Sequence, residues 1–243
     1  MFSVPADPMA GKPRECRARV AAVRDLTPEI IEADLVMEGP AGLEFDAGQW
    51  VSIPFGPKKV RAYSIASPPR SPSRITLCAD HAPGGIGSEW FRALRAGAEV
   101  RFEGPLGGFV YRRADPRRPL FVAEEIGIVP IFSILTELFE TGFGRPTRLV
   151  YWARAPRWLV YDGEFTSLSR RYPNFSYHPI VESAEPAWTG PSGALADLVD
   201  GLVDEVRDLV TYVAGGEQAI KRVREVLVAK GLDRKAVKWE KFW

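Results

Sequence analysis

The chain has 243 residues, 46% of them hydrophobic, which is ample for two medium-sized cores and argues for two domains. Its 32 lysines and arginines nearly cancel 31 aspartates and glutamates, so no global field favours nucleic acid or an anionic membrane surface. The two cysteines, Cys16 and Cys78, lie far apart, follow no metal-ligand spacing and are too few for an iron–sulfur centre, which takes about four.

Residues 1–13 contain proline and glycine but no basic start followed by an apolar core, and no long apolar span follows. A loose N-terminus on a cytoplasmic protein without a membrane span is expected. From Cys16 to about Tyr111, short β-type runs recur at Arg17 to Val23, Ile30 to Val36, Gln49 to Ile53, Val60 to Ala66, Arg74 to Ala79 and Glu99 to Glu103. Pro/Gly-rich turns separate them, which predicts a six-stranded antiparallel β-barrel over 14–113. One helix interrupts it at Ser88 to Arg95, where Trp90, Phe91 and Leu94 have helical spacing and Ser88 stands at the start as a cap.

The charged, proline-bearing stretch from Arg112 to Pro119 marks a boundary, with the linker at 114–119. Beyond it, buried-type strands at Leu120 to Ala123, Leu149 to Ala153, Phe175 to Ile180 and Leu209 to Ala214 alternate with helices near Ile131 to Glu140, Phe165 to Tyr172, Ala194 to Val203 and Glu217 to Lys230. Val237 to Glu240 adds a last strand. This alternation predicts a parallel α/β domain of nucleotide-binding type over 120–243.

Two segments carry chemistry. In the run from Arg61 to Ser67, alternation puts Arg61 and Tyr63 on one face of an extended strand, a cation for a diphosphate beside a ring that can cover a flat cofactor. Ser64 adds a hydroxyl and an N–H. The alternative is a solvent-facing strand with an incidental Arg and Tyr. Pro83-Gly84-Gly85-Ile86-Gly87-Ser88 then opens the barrel-domain helix, and glycines before a helix N-terminus let backbone N–H groups approach an anion. Alone, it reads as an ordinary Gly-rich turn.

Taken in order, these motifs resemble the ferredoxin–NADP reductase-like family of FAD-binding oxidoreductases, which has an Arg-x-Tyr-Ser strand and a Gly-Gly-x-Gly-Ser helix start. The resemblance runs nearly end to end through Gly104-Pro105-Leu106-Gly107, Gly127-Ile128-Val129-Pro130, Tyr151-Trp152-Ala153-Arg154 and the ending Glu240-Lys241-Phe242-Trp243. It implies that Arg61 pairs with the FAD diphosphate, Tyr63 stacks on the isoalloxazine and Ser64 lies near its reactive nitrogen. Gly85, Ile86, Gly87 and Ser88 would bind the diphosphate, and Trp243 matches a terminal aromatic that lies against FAD in some members. Glu240 matches an acidic residue that assists proton or hydride chemistry, whereas Gly127, Arg154 and Gly215 match positions that meet NAD(P). The implied function is FAD-dependent electron transfer between NAD(P)H and a separate one-electron carrier such as a ferredoxin or flavodoxin. An FAD-binding subunit or redox sensor of a larger complex, without NAD(P)H, is the alternative.

That alternative rests on departures from the family pattern. Glu124 and Glu125 stand where members typically have the first two residues of Gly-Gly-Thr-Gly, and Ala214 replaces the cysteine of Cys-Gly-Pro. A carboxylate about 5 Å from a phosphate charge, at an effective dielectric of about 20, costs about 3 kcal/mol, or about a hundredfold in affinity. Both side chains would have to point away, and solvent is one place for them to go. Gly215 and Gly216 still offer N–H donors to an anion at a helix start. His81 is the one candidate cation shortly before the glycine loop. The arginines 112, 113, 117 and 118 form either a docking patch for an acidic carrier or a solvated linker.

Overall fold

The computed structural model describes residues 11–81 and 84–242. Among the described residues two compact units emerge: one runs up to Ala114 and includes Phe132–Leu138, the other holds Asp115–Ile131 and Phe139 to Phe242.

In the first unit, β1 (Arg14–Asp25), β2 (Ile30–Gly39), β3 (Trp50–Pro54), β4 (Val60–Ser64), β5 (Arg74–Asp80) and β6 (Glu99–Leu106) form an antiparallel sheet in the order β4-β3-β6-β1-β2-β5. Its two edges meet, because Ile65 bridges Leu77 and the Ala66 N–H donates to the Thr76 carbonyl at 2.8 Å. The expected six-stranded barrel therefore closes, leaving no free edge at that seam. Alternation sets the core: Cys16, Ala18 and Val20 of β1 point inward while Glu15, Arg17 and Arg19 point out. Helix α1 (Ile86–Ala93) contributes Phe91, which is wholly buried in that core. Truncating such a side chain to alanine costs about 3–5 kcal/mol.

The second unit is a five-stranded parallel sheet in the order β11-β10-β7-β8-β9, built from β7 (Arg118–Glu124), β8 (Thr147–Ala153), β9 (Phe175–Val181), β10 (Leu209–Gly215) and β11 (Val237–Lys241). Helices α2 (Ile128–Glu140), α3 (Asp162–Arg171), α4 (Leu195–Leu202) and α5 (Glu217–Ala229) make the connections. All seven residues of β10 are buried, the continuous apolar run of a strand covered on both faces. Leu120 and Val122 pack with Val199, Val223 and Leu227 of α4 and α5, while Phe121, pointing the other way, stacks on Tyr212 at 5.4 Å.

Strand β7 begins at Arg118, inside the 114–119 stretch expected as linker, and the Arg118 N–H donates to the Asp208 carbonyl. Each of the four arginines of that region has a partner within the protein, while Arg112 remains exposed. Arg112 pairs with Asp46, Arg113 donates to the Leu138 carbonyl, Arg117 grips Asp115 through two nitrogens, and Arg118 donates to the Arg207 carbonyl.

The chain runs from β7 outward to β8 and β9, then returns to the other side of β7 for β10 and β11. The order therefore reverses between β7 and β10, and in open parallel sheets ligands bind beyond the C-terminal strand ends at such a point. Glu124 and Gly215 end these two strands.

Candidate functional site

The flavin-type half is built by β4 and the start of α1. Pairing with β3 puts Arg61 opposite Ile53 and Tyr63 opposite Val51, and both side chains lie against Gly87. A Cβ on Gly87 would stand 2.7 Å from the Tyr63 hydroxyl and 3.1 Å from Arg61 Cγ, so only glycine lets α1 approach the strand this closely. Gly85 caps the helix at φ 97° and ψ 175°, a backbone region essentially closed to other residues. Ser88 is not the cap that its sequence position indicated. It lies in the first turn and its hydroxyl donates back to the Gly84 carbonyl at 3.1 Å, because the helix starts two residues earlier, at Ile86.

Arg61 is exposed, its Nη1 donates to the Val60 carbonyl, and among the described residues it forms no ion pair. Tyr63 is half-buried against Trp90 and Phe91, with ring centroids 5.8 and 5.3 Å away. Burial pushes its phenol up to about 12, opposed by the neighbouring Arg61, so it remains a protonated donor near neutral pH. Ser64 is buried at the end of β4 and Ile86 is exposed at the mouth of the glycine turn. An uncommitted cation, an aromatic phenol and a glycine cradle at a helix N-terminus fit the diphosphate and ring of a flavin dinucleotide.

One cation here escaped sequence reasoning. Arg92 donates to His81 Nδ1 at 2.9 Å, so that ring nitrogen acts as acceptor, and the permanent charge beside the loop belongs to Arg92 rather than to His81. The signal was available, since residues 88 and 92 share a helix face. Trp243 lies outside the described residues.

In the second unit, Glu124 and Glu125 stay at the end of β7 but turn into the protein, not to solvent. Glu124 Oε2 accepts the Gly216 N–H at 2.7 Å, so the anion at that helix start is the chain's own carboxylate. Burial raises the Glu124 carboxyl above its ordinary range, with the Gly216 hydrogen bond opposing and the Glu125 charge adding to the rise. Glu125 is 5% exposed and sits at φ 51°, the left-handed conformation that a glycine adopts freely. Its Oε1 accepts both the backbone N–H and Nε of Arg154, at 2.7 and 3.1 Å. The Arg154 guanidinium in turn lies over the Trp158 ring, 4.1 Å from its centroid.

Gly127 and Gly215 are both required by packing. A Cβ on Gly127 would fall 2.3 Å from the Ala214 carbonyl oxygen, and one on Gly215 would fall 2.7 Å from Glu124 Cβ. Ala214 is buried in register with Ala123 and with Glu240 of β11.

A closed antiparallel barrel with a glycine-opened helix, followed by a parallel sheet with acidic and glycine loops at its switch point, defines a two-unit fold of barrel and nucleotide-binding type. Residues 17–111 match the model of the oxidoreductase FAD-binding domain and residues 121–225 that of the oxidoreductase NAD-binding domain. Ferredoxin–NADP reductase B of Sorangium cellulosum is 31% identical over 236 residues, spanning 93% of this chain and 96% of that protein. The reductase component of propane 2-monooxygenase from Rhodococcus jostii is 27% identical over 237 residues, spanning 94% of this chain but only 64% of that longer protein. Among solved structures, an Amycolatopsis cytochrome P450 reductase shares the fold with a TM-score of 0.87 at 22% identity, over 99% of this chain and 73% of that one. The chain belongs to the ferredoxin–NADP reductase-like family. It is an FAD-dependent electron-transfer oxidoreductase whose cofactors are FAD and NAD(P)H.

Proposed function

We propose that the chain takes electrons from NAD(P)H and delivers them singly to a separate carrier protein of the ferredoxin or flavodoxin kind. The observation that carries this reading is the junction of Arg61 and Tyr63 with Gly87 at the start of α1, which supplies charge, ring and close backbone approach together. The chain's two cysteines cannot hold an iron–sulfur centre among themselves, which supports a separate carrier. Bound FAD supplies the exchange between two-electron and one-electron chemistry.

In this reading Arg61 holds the diphosphate by charge-assisted hydrogen bonds, with Gly85, Ile86, Gly87 and Ser88 forming the cradle. Tyr63 covers the ring and Ser64 supplies a hydrogen bond at the reactive edge. Glu240 handles a proton near the dinucleotide, which Gly127, Arg154 and Gly215 help to seat. The cytoplasm is the proposed setting, where the free buried thiols of Cys16 and Cys78 stay reduced.

The test is rapid anaerobic mixing of the flavin-loaded protein with NADH and with NADPH, followed by addition of a ferredoxin. Bleaching of the flavin absorbance, then its recovery with carrier reduction, is the expected course. Bleaching by neither nucleotide would move the reading to an FAD-binding subunit or sensor that does not use NAD(P)H. The Glu124 carboxylate at the Gly216 N–H is the observation favouring that second reading.

A further inference from the structure

The charges at the C-terminal edge of the parallel sheet bear on which dinucleotide the second unit takes. In a βαβ dinucleotide unit, the residues beyond the second strand read the ribose 2′-position: an acid there accepts from the hydroxyl of NAD, and an arginine accommodates the phosphate of NADP. The second strand is β8, and the residue directly after it is Arg154. Identity alone would make this an NADP reader. Its surroundings reverse that reading.

Arg154 carries its own counter-ion. Glu125 is 5% exposed and takes both the backbone N–H and Nε of Arg154 on one oxygen, which holds the carboxylate beside the guanidinium. Trp158 covers a face of the same guanidinium. An incoming phosphate therefore meets a charge-neutral pair instead of a net cation.

The neighbouring strand ends add no compensating charge. Glu124 ends β7, Glu182 directly follows β9, Glu217 lies two residues past β10, and the lysine at the end of β11, Lys241, is paired with Glu217 at 2.6 Å. Glu124 and Glu182 line a cavity of about 400 Å³ in which Arg222 is the one cation among the lining residues. Counting Arg154, Arg157, Arg222 and Lys241 against Glu124, Glu125, Glu182, Glu217 and Glu185, the last paired with Arg157 at 2.7 Å, the edge carries more carboxylates than cations. A 2′-phosphate would bring nearly two further negative charges to it.

We propose that Glu125 determines nucleotide choice by neutralising Arg154, so that this chain takes NADH in preference to NADPH. The proposal rests on the reading that the second unit binds a dinucleotide. Glu125 acts through Arg154 and is a specificity residue, not a catalytic one. The residue holds φ 51°, a conformation suited to glycine, and its carboxylate meets both the backbone N–H and Nε of Arg154.

The test is calorimetric titration of the oxidised, flavin-loaded protein with NAD⁺ and with NADP⁺ at fixed salt, a measurement independent of turnover. NAD⁺ is expected to bind about tenfold more tightly or better, and Glu125→Gln is expected to tighten NADP⁺ about tenfold while leaving NAD⁺ within about twofold. Glu125→Gly, which relieves the left-handed backbone, provides a second variant with the same expected shift should the glutamine variant fold poorly. Arg154→Gln in the Glu125→Gln background, where no buried carboxylate is left unpaired, is expected to abolish the gain. Tighter binding of NADP⁺ by the parent, or no gain in either Glu125 variant, overturns the proposal while leaving dinucleotide binding intact. Binding of neither nucleotide at millimolar concentration removes the underlying reading and the proposal with it.

Discussion

Glu124 Oε2 accepts the Gly216 N–H at 2.7 Å, joining the end of β7 to the start of α5 across 92 residues of sequence. The bond satisfies one of the N–H groups that a helix leaves without an intrahelical partner, and the helix dipole favours the negative charge. Burial opposes it, and burial is the larger effect on the Glu124 carboxyl, whose pKa rises.

A pH dependence of stability follows from that rise. The folded-state pKa lies above the unfolded one, so the folded chain binds the proton more tightly in the window between them, and stability falls as pH rises through it. Glu124→Gln keeps an oxygen for Gly216 while removing the charge. Its melting midpoint is expected to exceed the parent's at about pH 8, with the gap closing towards about pH 4, near the ordinary glutamate value. A gap that stays constant across that range would show that Glu124 does not titrate on folding.

The two glycines of this junction are expected to behave differently when substituted. A methyl on Gly127 meets only backbone, the Ala214 carbonyl at 2.3 Å and the Gly215 nitrogen at 3.0 Å, so Gly127→Ala has no easy relief. It is expected to cost about 1–3 kcal/mol in urea unfolding, the usual range for overpacking. Gly215→Ala instead meets the side chain of Glu124. Its cost should be largely rescued in a Glu124→Gly background, and a double-mutant cycle showing additivity within about 0.5 kcal/mol would refute the contact.

The elements of this fold were legible because each obeys a short-range period. β1 alternates over Cys16, Ala18 and Val20, and β10 is apolar throughout. The Glu125–Arg154 pair was not legible, for it depends on the parallel register that sets Glu124 beside Trp152 and thus brings the residues just beyond each strand together. In sequence Glu124 and Glu125 read as groups facing a ligand or solvent, and Arg154 as a residue that meets NAD(P). The structure gives the two ends of one ion pair. Likewise, Ser88 has a capping side chain, but Gly85 takes the position, at φ 97° and ψ 175°, a region open essentially to glycine alone, and the helix begins at Ile86.

Gly87 tests the flavin half at the closest approach of α1 to β4. The atoms that an added methyl would meet, the Tyr63 hydroxyl and Arg61 Cγ, belong to side chains rather than to backbone, so Gly87→Ala should still fold, with a modest drop in melting midpoint. Moving those side chains displaces both groups assigned to the cofactor. FAD affinity, read from the quenching of flavin fluorescence on binding, is expected to fall about tenfold, corresponding to about 1.4 kcal/mol. Unchanged affinity would remove Arg61 and Tyr63 from the flavin site.

Arg61 gives the more direct test, because no carboxylate among the described residues competes for it. A charge-assisted hydrogen bond contributes about 1.5–3 kcal/mol, so Arg61→Ala is expected to weaken FAD binding by roughly tenfold to a hundredfold. The loss should also depend on salt. Arg61 is exposed, and its attraction for a diphosphate is screened over about 10 Å at 0.1 M ionic strength, so parent and variant affinities should converge as salt rises. Arg61→Lys separates charge from geometry: a point charge restores the salt dependence but not the paired hydrogen bonds of a planar guanidinium, and affinity is expected to lie between the two. An affinity loss in Arg61→Ala that is the same at low and high salt would assign Arg61 a packing role, leaving Arg92 as the cation beside the glycine turn.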